Sequence, residues 1–234
     1  MKKYLVIAVC TMWGSVCSQH INSADFGNSA NPSNVIREIN LPPAPTVGNV
    51  YLNDGWHRGD FIMKGARSFK GQLLRYDLKH QNLEIKFDNG IKICALSKLE
   101  SFNFVNSDID SSFFFVNINT IPNNYVINTK GIAEVLYKEK VTLYKYYFLE
   151  HREPTYVPTV ALGSKSAKIL KKNTFYLQTP EKLYKLSFSF KKNKTAFGKY
   201  YFQVEKNAKE NGLKLKKQLN MIAIVKYYNS LLEN

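Results

Sequence analysis

The sequence predicts an α+β fold: an antiparallel β-rich body, a small curved sheet or barrel plus further hairpins, followed by C-terminal helices. Three observations carry that reading. Between residues 50 and 188, apolar residues recur at every second position in short runs divided by turn residues. Beyond residue 189 the period lengthens to that of a helix. The chain has 234 residues, 44% of them apolar and 22% charged, with 15 Tyr, 15 Phe and 2 Trp, enough to fill the core of one domain or two small ones.

The first 18 residues read as a secretory signal peptide. Lys2-Lys3 is a short positive region, residues 4–16 are mostly apolar, and Val16 and Ser18 sit at the −3 and −1 positions of a small-residue cleavage site. The run is too short for a membrane-spanning helix, which needs about 20 apolar residues. Lipid attachment at Cys17 is the rival reading, but Val16 precedes it where lipoprotein signals carry a smaller residue. Cleavage at Ser18 removes Cys10 and Cys17 and leaves Cys94 alone, so no intramolecular disulfide is expected. The setting implied is the periplasm, the outer membrane or the exterior. Residues 19–48 are rich in Asn, Ser, Ala and Pro and end in Leu41-Pro42-Pro43-Ala44-Pro45, which reads as a flexible leader outside the core.

Strands are expected at Phe61 and Met63, at residues 69–76, at Leu83, Ile85 and Phe87, at Ile91, Ile93 and Ala95, and at Phe102 and Phe104. Asp88-Asn89-Gly90 joins two of these runs, and Asn-Gly between alternating apolar residues marks a hairpin. A second β segment runs over residues 113–188, with hairpins turning at residues 138–140 and 179–181 and a loop over 150–167. Whether the β-rich region 49–188 forms one sheet or two, 49–105 and 113–188, the pattern leaves open. Residues 189–234 are expected to be helices packed on the sheet. Tyr201, Val204 and Ala208 share one helical face, Asn211-Gly212 supplies a stop, and Met221, Ile224, Val225, Tyr228 and Leu232 form one apolar stripe.

Charge is concentrated in one place. The whole chain carries 33 basic and 18 acidic residues, a formal +15, and loses Lys2 and Lys3 on cleavage to leave +13. Residues 19–164 hold 15 basic and 14 acidic residues, whereas residues 165–217 hold 15 Lys against Glu181, Glu205 and Glu210, a net +12. Such a field attracts anions and decays within about 8–10 Å at physiological salt. Lys171, Lys172, Lys191, Lys192, Lys194 and Lys199 are therefore the candidate anion-binding residues, and an anionic envelope component or an acidic protein is the candidate partner. The competing account is a Lys-rich composition that decorates solvated faces. Only five basic residues are Arg and none lies in the basic segment, which argues against specific reading of nucleic acid.

No set of residues spells a reaction. His20, His57, His80 and His151 form no metal-ligand spacing with one another or with Cys or acids. Glu150-His151-Arg152-Glu153 is the densest titratable group and reads as a solvated loop. Asp108 and Asp110 resemble the start of a calcium loop, but Phe113 stands where glycine is required and Asn119 where the closing acid should be. Cys94 lies in a core-facing run and reads as a buried thiol. Arg58-Gly59-Asp60 reads as the opening of the Phe61 strand rather than an adhesion motif. No catalytic residue, metal or cofactor is assigned.

The signal, the run Gly71-Gln72-Leu73-Leu74-Arg75-Tyr76-Asp77 and the ending Lys226-Tyr227-Tyr228-Asn229-Ser230-Leu231 resemble a group of exported proteins of Gram-negative bacteria with no assigned function. The resemblance covers most of residues 50–234 and implies an envelope setting without any site residues. The sequence thus points to a non-catalytic envelope binding or scaffold module with a basic C-terminal face. The alternative is a periplasmic ligand-binding or enzymatic domain whose site is assembled from distant residues. An outer-membrane barrel is disfavoured by strands read as shorter than the 9–11 residues such barrels use and by the helical ending.

Overall fold

The alternating runs become strands, and a computed structural model places eleven of them in one antiparallel sheet. It describes residues 36–38, 48–106, 111–122, 130–152 and 168–232, which belong to a single compact unit, Asn34–Asn234. The strands are β1 (Ile36–Glu38), β2 (His57–Met63), β3 (Arg67–Asp77), β4 (Asn82–Phe87), β5 (Gly90–Ala95), β6 (Leu99–Asn106), β7 (Ser111–Asn117), β8 (Ile132–Lys138), β9 (Thr142–Arg152), β10 (Lys168–Gln178) and β11 (Leu183–Lys185). Their order is β1-β5-β4-β3-β2-β6-β7-β8-β9-β10-β11. The two β segments are therefore continuous, joined where β6 pairs with β7. Three helices follow: α1 (Lys194–Phe197), α2 (Tyr201–Glu210) and α3 (Gln218–Leu231). The signal and most of the leader lie outside the described residues.

Several expectations are corrected. The leader was expected to stay clear of the body, yet Ile36, Arg37 and Glu38 pair with Cys94, Ile93 and Lys92 and add the edge strand β1. An exposed edge offers unpaired backbone groups that any short β-prone segment can satisfy. Glu150, His151 and Arg152 belong to β9 rather than to a loop, paired with Leu170, Ile169 and Lys168. Strand β10 starts at Lys168, directly after the stretch expected to be a loop, and β11 stops at Lys185, short of the expected end of the β segment at 188. β3, β9 and β10 are each 11 residues long, so strand length no longer speaks against a membrane barrel. The apolar residues do, because they fill the enclosed side of the sheet, whereas a lipid-spanning barrel carries its apolar band outside. Among the described residues no helix is long and apolar enough to cross a membrane.

Two turns show how local chemistry sets the register. Phe87 pairs with Gly90, so the β4–β5 turn is centred on Asp88-Asn89, one residue before the expected Asn-Gly, and Gly90 alone takes the positive φ of 128°. Gly59 lies inside β2 at a bulge, where a Cβ would fall 2.0 Å from the Asn103 carbonyl oxygen. Arg58 Nη1 donates to Gly71 O at 3.3 Å and Asp60 Oδ1 accepts from Gly71 N at 2.8 Å, so the whole tripeptide serves the β2–β3 pairing.

The sheet coils on itself. β3 and β10 are six strands apart in sheet order, about 29 Å on a flat sheet at ~4.8 Å per strand. Yet Leu52 N donates to Tyr76 O in β3 at 2.9 Å, while Leu52 O accepts from Lys171 Nζ of β10 at 2.6 Å. The segment at residues 50–52 thus spans the gap that the coil leaves, and among the described residues no strand pair closes it. The enclosed core is aromatic: Phe61, Tyr76, Phe102, Phe104 and Phe115 are buried with Leu74, Leu83, Ile85 and Cys94. A second core lies under the helices, where Val204, Ala208, Met221, Ile224 and Val225 pack on Leu143, Phe175 and Leu177. The apolar stripe expected on the last helix is the face that is buried; Leu232, at its C-cap, is half-buried.

Candidate anion-binding face and groove

The lysines of residues 191–199 stand on a helical segment whose orientation is set by one buried amide. Asn193 is 1% exposed; its Oδ1 accepts from Ser187 N at 2.7 Å and its Nδ2 donates to Ser187 O at 2.8 Å. Ala196 and Phe197, three and four residues on, are buried beside it. The same helical period leaves Lys191, Lys192, Lys194 and Lys199 exposed. Among the described residues none of these four makes an ion pair. Lys206 and Lys209 on α2 instead pair with Glu210 (3.9 Å) and Glu205 (3.1 Å) one turn away.

The six lysines singled out from the sequence do not form one set. Lys191, Lys192, Lys194 and Lys199 lie together on the segment before α2. Lys171 and Lys172 lie on β10 and, as neighbours in a strand, point to opposite faces. The Lys171 ammonium is held by Leu52 O, and its pKa is lowered by desolvation with Asp54 opposing the shift. Lys172 sits 3.9 Å from Glu150, which also accepts from Arg152 Nε at 2.6 Å.

An apolar side chain stands beside one of these lysines. Phe202 is 70% exposed at the start of α2, with Lys194 Nζ 5.9 Å from its ring centre. Beside this face runs an open groove of about 540 Å³ between the β10–β11 turn, the segment at residues 195–200 and the end of α3. Its wall is aromatic: Tyr228 meets Phe197 edge-on at 5.2 Å and Tyr200 at 6.3 Å, with Tyr184 alongside. Lys140 and Lys199 stand at the rim, and Glu181 lies in the turn. Burial raises the Tyr228 phenol pKa, and Tyr184, Tyr200 and Glu181 push it further up, so Tyr228 remains a neutral donor.

Arg75, Glu84, Asp77 and His80 are used by the fold. Arg75 packs 3.9 Å from the Tyr51 ring centre and 4.5 Å from that of Trp56, and its Nε and Nη2 donate to Glu84 Oε2 at 2.9 and 2.6 Å. That clamp fixes residues 51–56 to the sheet. Asp77 accepts from the Lys79 and His80 backbone amides and lies 2.6 Å from the His80 ring, a turn-stabilising arrangement. Cys94 is fully buried, and desolvation pushes its thiol pKa up to about 12. The Asp108–Asp110 segment lies outside the described residues.

Sequence reasoning missed the groove. Its residues span positions 140 to 232 and each reads locally as something else: Lys140 as a turn, Tyr184 as a strand, Tyr228 as part of an apolar stripe. Phe202 carried the available signal, being off the face shared by Tyr201, Val204 and Ala208. No family model matches the chain, and neither a curated protein nor a solved structure matches it.

Proposed function

We propose that this protein is an exported, non-catalytic envelope module that docks by its helical, lysine-bearing end on an anionic lipid surface. The observation that supports it is Phe202, an exposed aromatic ring beside Lys194, on the helical end that also exposes Lys191 and Lys192. Lysines near an anionic bilayer contribute about 1 kcal/mol each. A phenylalanine side chain entering the interface adds about 2 kcal/mol. Together these give about 5 kcal/mol, a dissociation constant on the order of 0.2 mM. That is a reversible, peripheral attachment rather than an anchor. In this reading residues 1–18 direct export and are removed, and the long coiled sheet is the scaffold that presents the basic end. The resemblance to exported Gram-negative proteins is consistent with that setting.

The test is co-sedimentation of the purified protein with vesicles of phosphatidylglycerol in phosphatidylcholine. Binding is expected at low salt, with loss at about 0.5 M salt, where screening shortens to a few ångströms. Phe202→Ser and the triple change of Lys191, Lys192 and Lys194 to Gln are each expected to weaken it. Binding to neutral vesicles that salt does not alter contradicts the proposal. Recovery of the uncut chain from the cytosol contradicts the export half of it.

A further inference from the structure

We infer that the aromatic groove beside α3 is a binding site for an acidic saccharide, one or two sugar rings carrying a carboxylate or a phosphate. The inference goes beyond membrane docking and does not depend on it. The groove's volume, about 540 Å³, falls within the roughly 300–1,000 Å³ of small-molecule sites. What selects the ligand is the mixture of groups that converge there.

Tyr184 and Tyr200 are half-buried, so each gives one part of its ring to the core and leaves the rest in the groove. Tyr228 and Phe197 close the floor edge-to-face at 5.2 Å and 74°. A sugar ring has a C–H face that packs on such rings and a rim of hydroxyls that must be met by donors and acceptors. Burial, with Tyr184, Tyr200 and Glu181 nearby, keeps the Tyr228 phenol protonated, and the Tyr184 and Tyr200 hydroxyls line the same groove. Lys140 Nζ donates to Leu232 O at 3.0 Å and keeps two further N–H groups. Lys199 Nζ stands 4.8 Å from the Tyr200 ring centre. These two cations face a ligand's anionic group across the aromatic wall. A purely apolar ligand brings no counter-charge for Lys199 and Lys140, and a bare phosphate brings no face for the rings. Charge, hydroxyl and stacking surface together describe an acidic sugar.

The experiment is titration of the full chain with digalacturonate, maltose and inorganic phosphate, followed by calorimetry. Digalacturonate is expected to bind, with maltose and phosphate each at least about tenfold weaker. Thr195→Trp, which fills the groove from an exposed position, is expected to abolish binding without changing the unfolding temperature, and Lys199→Gln to weaken it about threefold to tenfold. A second arm presents the sugar on a lipid, as vesicles doped with glucuronosyl diacylglycerol, and shows whether the saccharide is taken free or as a headgroup. Equal affinity for maltose or phosphate, no binding in either arm, or indifference to Thr195→Trp overturns the inference. Phe202→Ser separates the two proposals, since it is expected to lose vesicle binding and keep digalacturonate affinity.

Discussion

The two cores of this molecule are filled by different devices. In the first, an aromatic row runs straight across the strands: Phe69 pairs with Phe61, Phe61 with Phe102, and Phe102 with Phe115. Phe61 and Phe69 stack at 4.6 Å and Phe102 and Phe115 at 4.8 Å. The same row then continues through Glu134 and Lys145 before reaching Phe175, which packs under the helices. Coiling lets β2–β7 bury their inner face against one another. Leu143, Phe175 and Leu177 of the last strands are covered instead by the helices. The charged pair marks where one solution gives way to the other. Glu134 is 5% exposed, and its Oε2 accepts from Tyr147 Oη at 2.5 Å. Lys145 Nζ donates to Gln218 Oε1 at 2.8 Å, at the start of α3. A row of aromatic rings is therefore interrupted by a polar tie between sheet and helix before it resumes at Phe175.

The largest effect is expected where the row is purely aromatic. Phe102→Ala should destabilise the protein by about 3–5 kcal/mol, read from urea unfolding followed by Trp56 fluorescence and by circular dichroism. Ile224→Ala in α3 should cost about 2–4 kcal/mol on the same scale. If the two cores fold as one unit, both changes move a single transition. Separate fluorescence and dichroism midpoints for Ile224→Ala would show that the helical core opens by itself.

Alkaline pH probes the first core from within. The Cys94 thiol has an ordinary value of 9.0 and is pushed to about 12 by burial. A group whose folded pKa is raised contributes stability that is complete below its unfolded value and is lost as pH rises through the folded one. Between pH 9 and about 12 that loss amounts to ~1.4 kcal/mol per pH unit, or about 4 kcal/mol in all. Cys94→Ala should therefore shift the plateau a little and flatten the slope by one proton. Tyr76 and Tyr147, also raised by burial, keep part of the slope in both proteins. An unchanged slope in the Ala variant would mean that the thiol ionises freely.

The same contrast explains what the sequence could show. β2–β5 were legible because Leu74, Tyr76, Leu83 and Ile85 face the core while Arg75 and Glu84 between them face the other way. In β9 both faces are covered: Leu143 packs under the helices and Tyr144 and Tyr146 join a separate cluster. Alternation then blurs, and the ends of β9 and β10 at Glu150–Arg152 and Lys168–Asn173 had no period to reveal them. The apolar stripe of α3 was legible because one face of a long helix meets one core. The groove was not, since it comes from segments that meet only in three dimensions. The lysine count was visible, but its division into four exposed and two engaged cations depends on Leu52 and Glu150.

Breaking the tie between the cores should have an intermediate effect. Glu134→Ala leaves Lys145, already lowered in pKa by desolvation, without its neighbouring negative charge, and removes the acceptor of Tyr147. A cost of about 2–3 kcal/mol is expected, since Lys145 is only half-buried and water relieves part of it. Replacing Glu134 and Lys145 together by Leu should recover most of that loss, because a matched apolar pair carries no desolvation penalty. If the double variant is no better than the single, the polar tie to Gln218 is what holds α3, and the row is interrupted for the helix's sake.

The smallest effect sorts the lysines themselves. Lys171 belongs to the coil: its ammonium reaches Leu52 O at 2.6 Å, and Leu52 is also tied to Tyr76, so the contact links β10 to β3 through the bridging segment. Lys171→Met keeps the length and apolar body of the side chain and removes that donor, for an expected loss of about 1 kcal/mol. Hydrogen exchange at the Leu52 amide should quicken with it, because that amide's bond to Tyr76 O sits in the segment the lysine holds down. Lys191→Met and Lys192→Met, on the exposed helical end, should change stability by less than about 0.5 kcal/mol and leave Leu52 untouched. Should all three behave alike, lysines in the sheet and in the helical end would be interchangeable, and the basic face would be a matter of composition rather than of place.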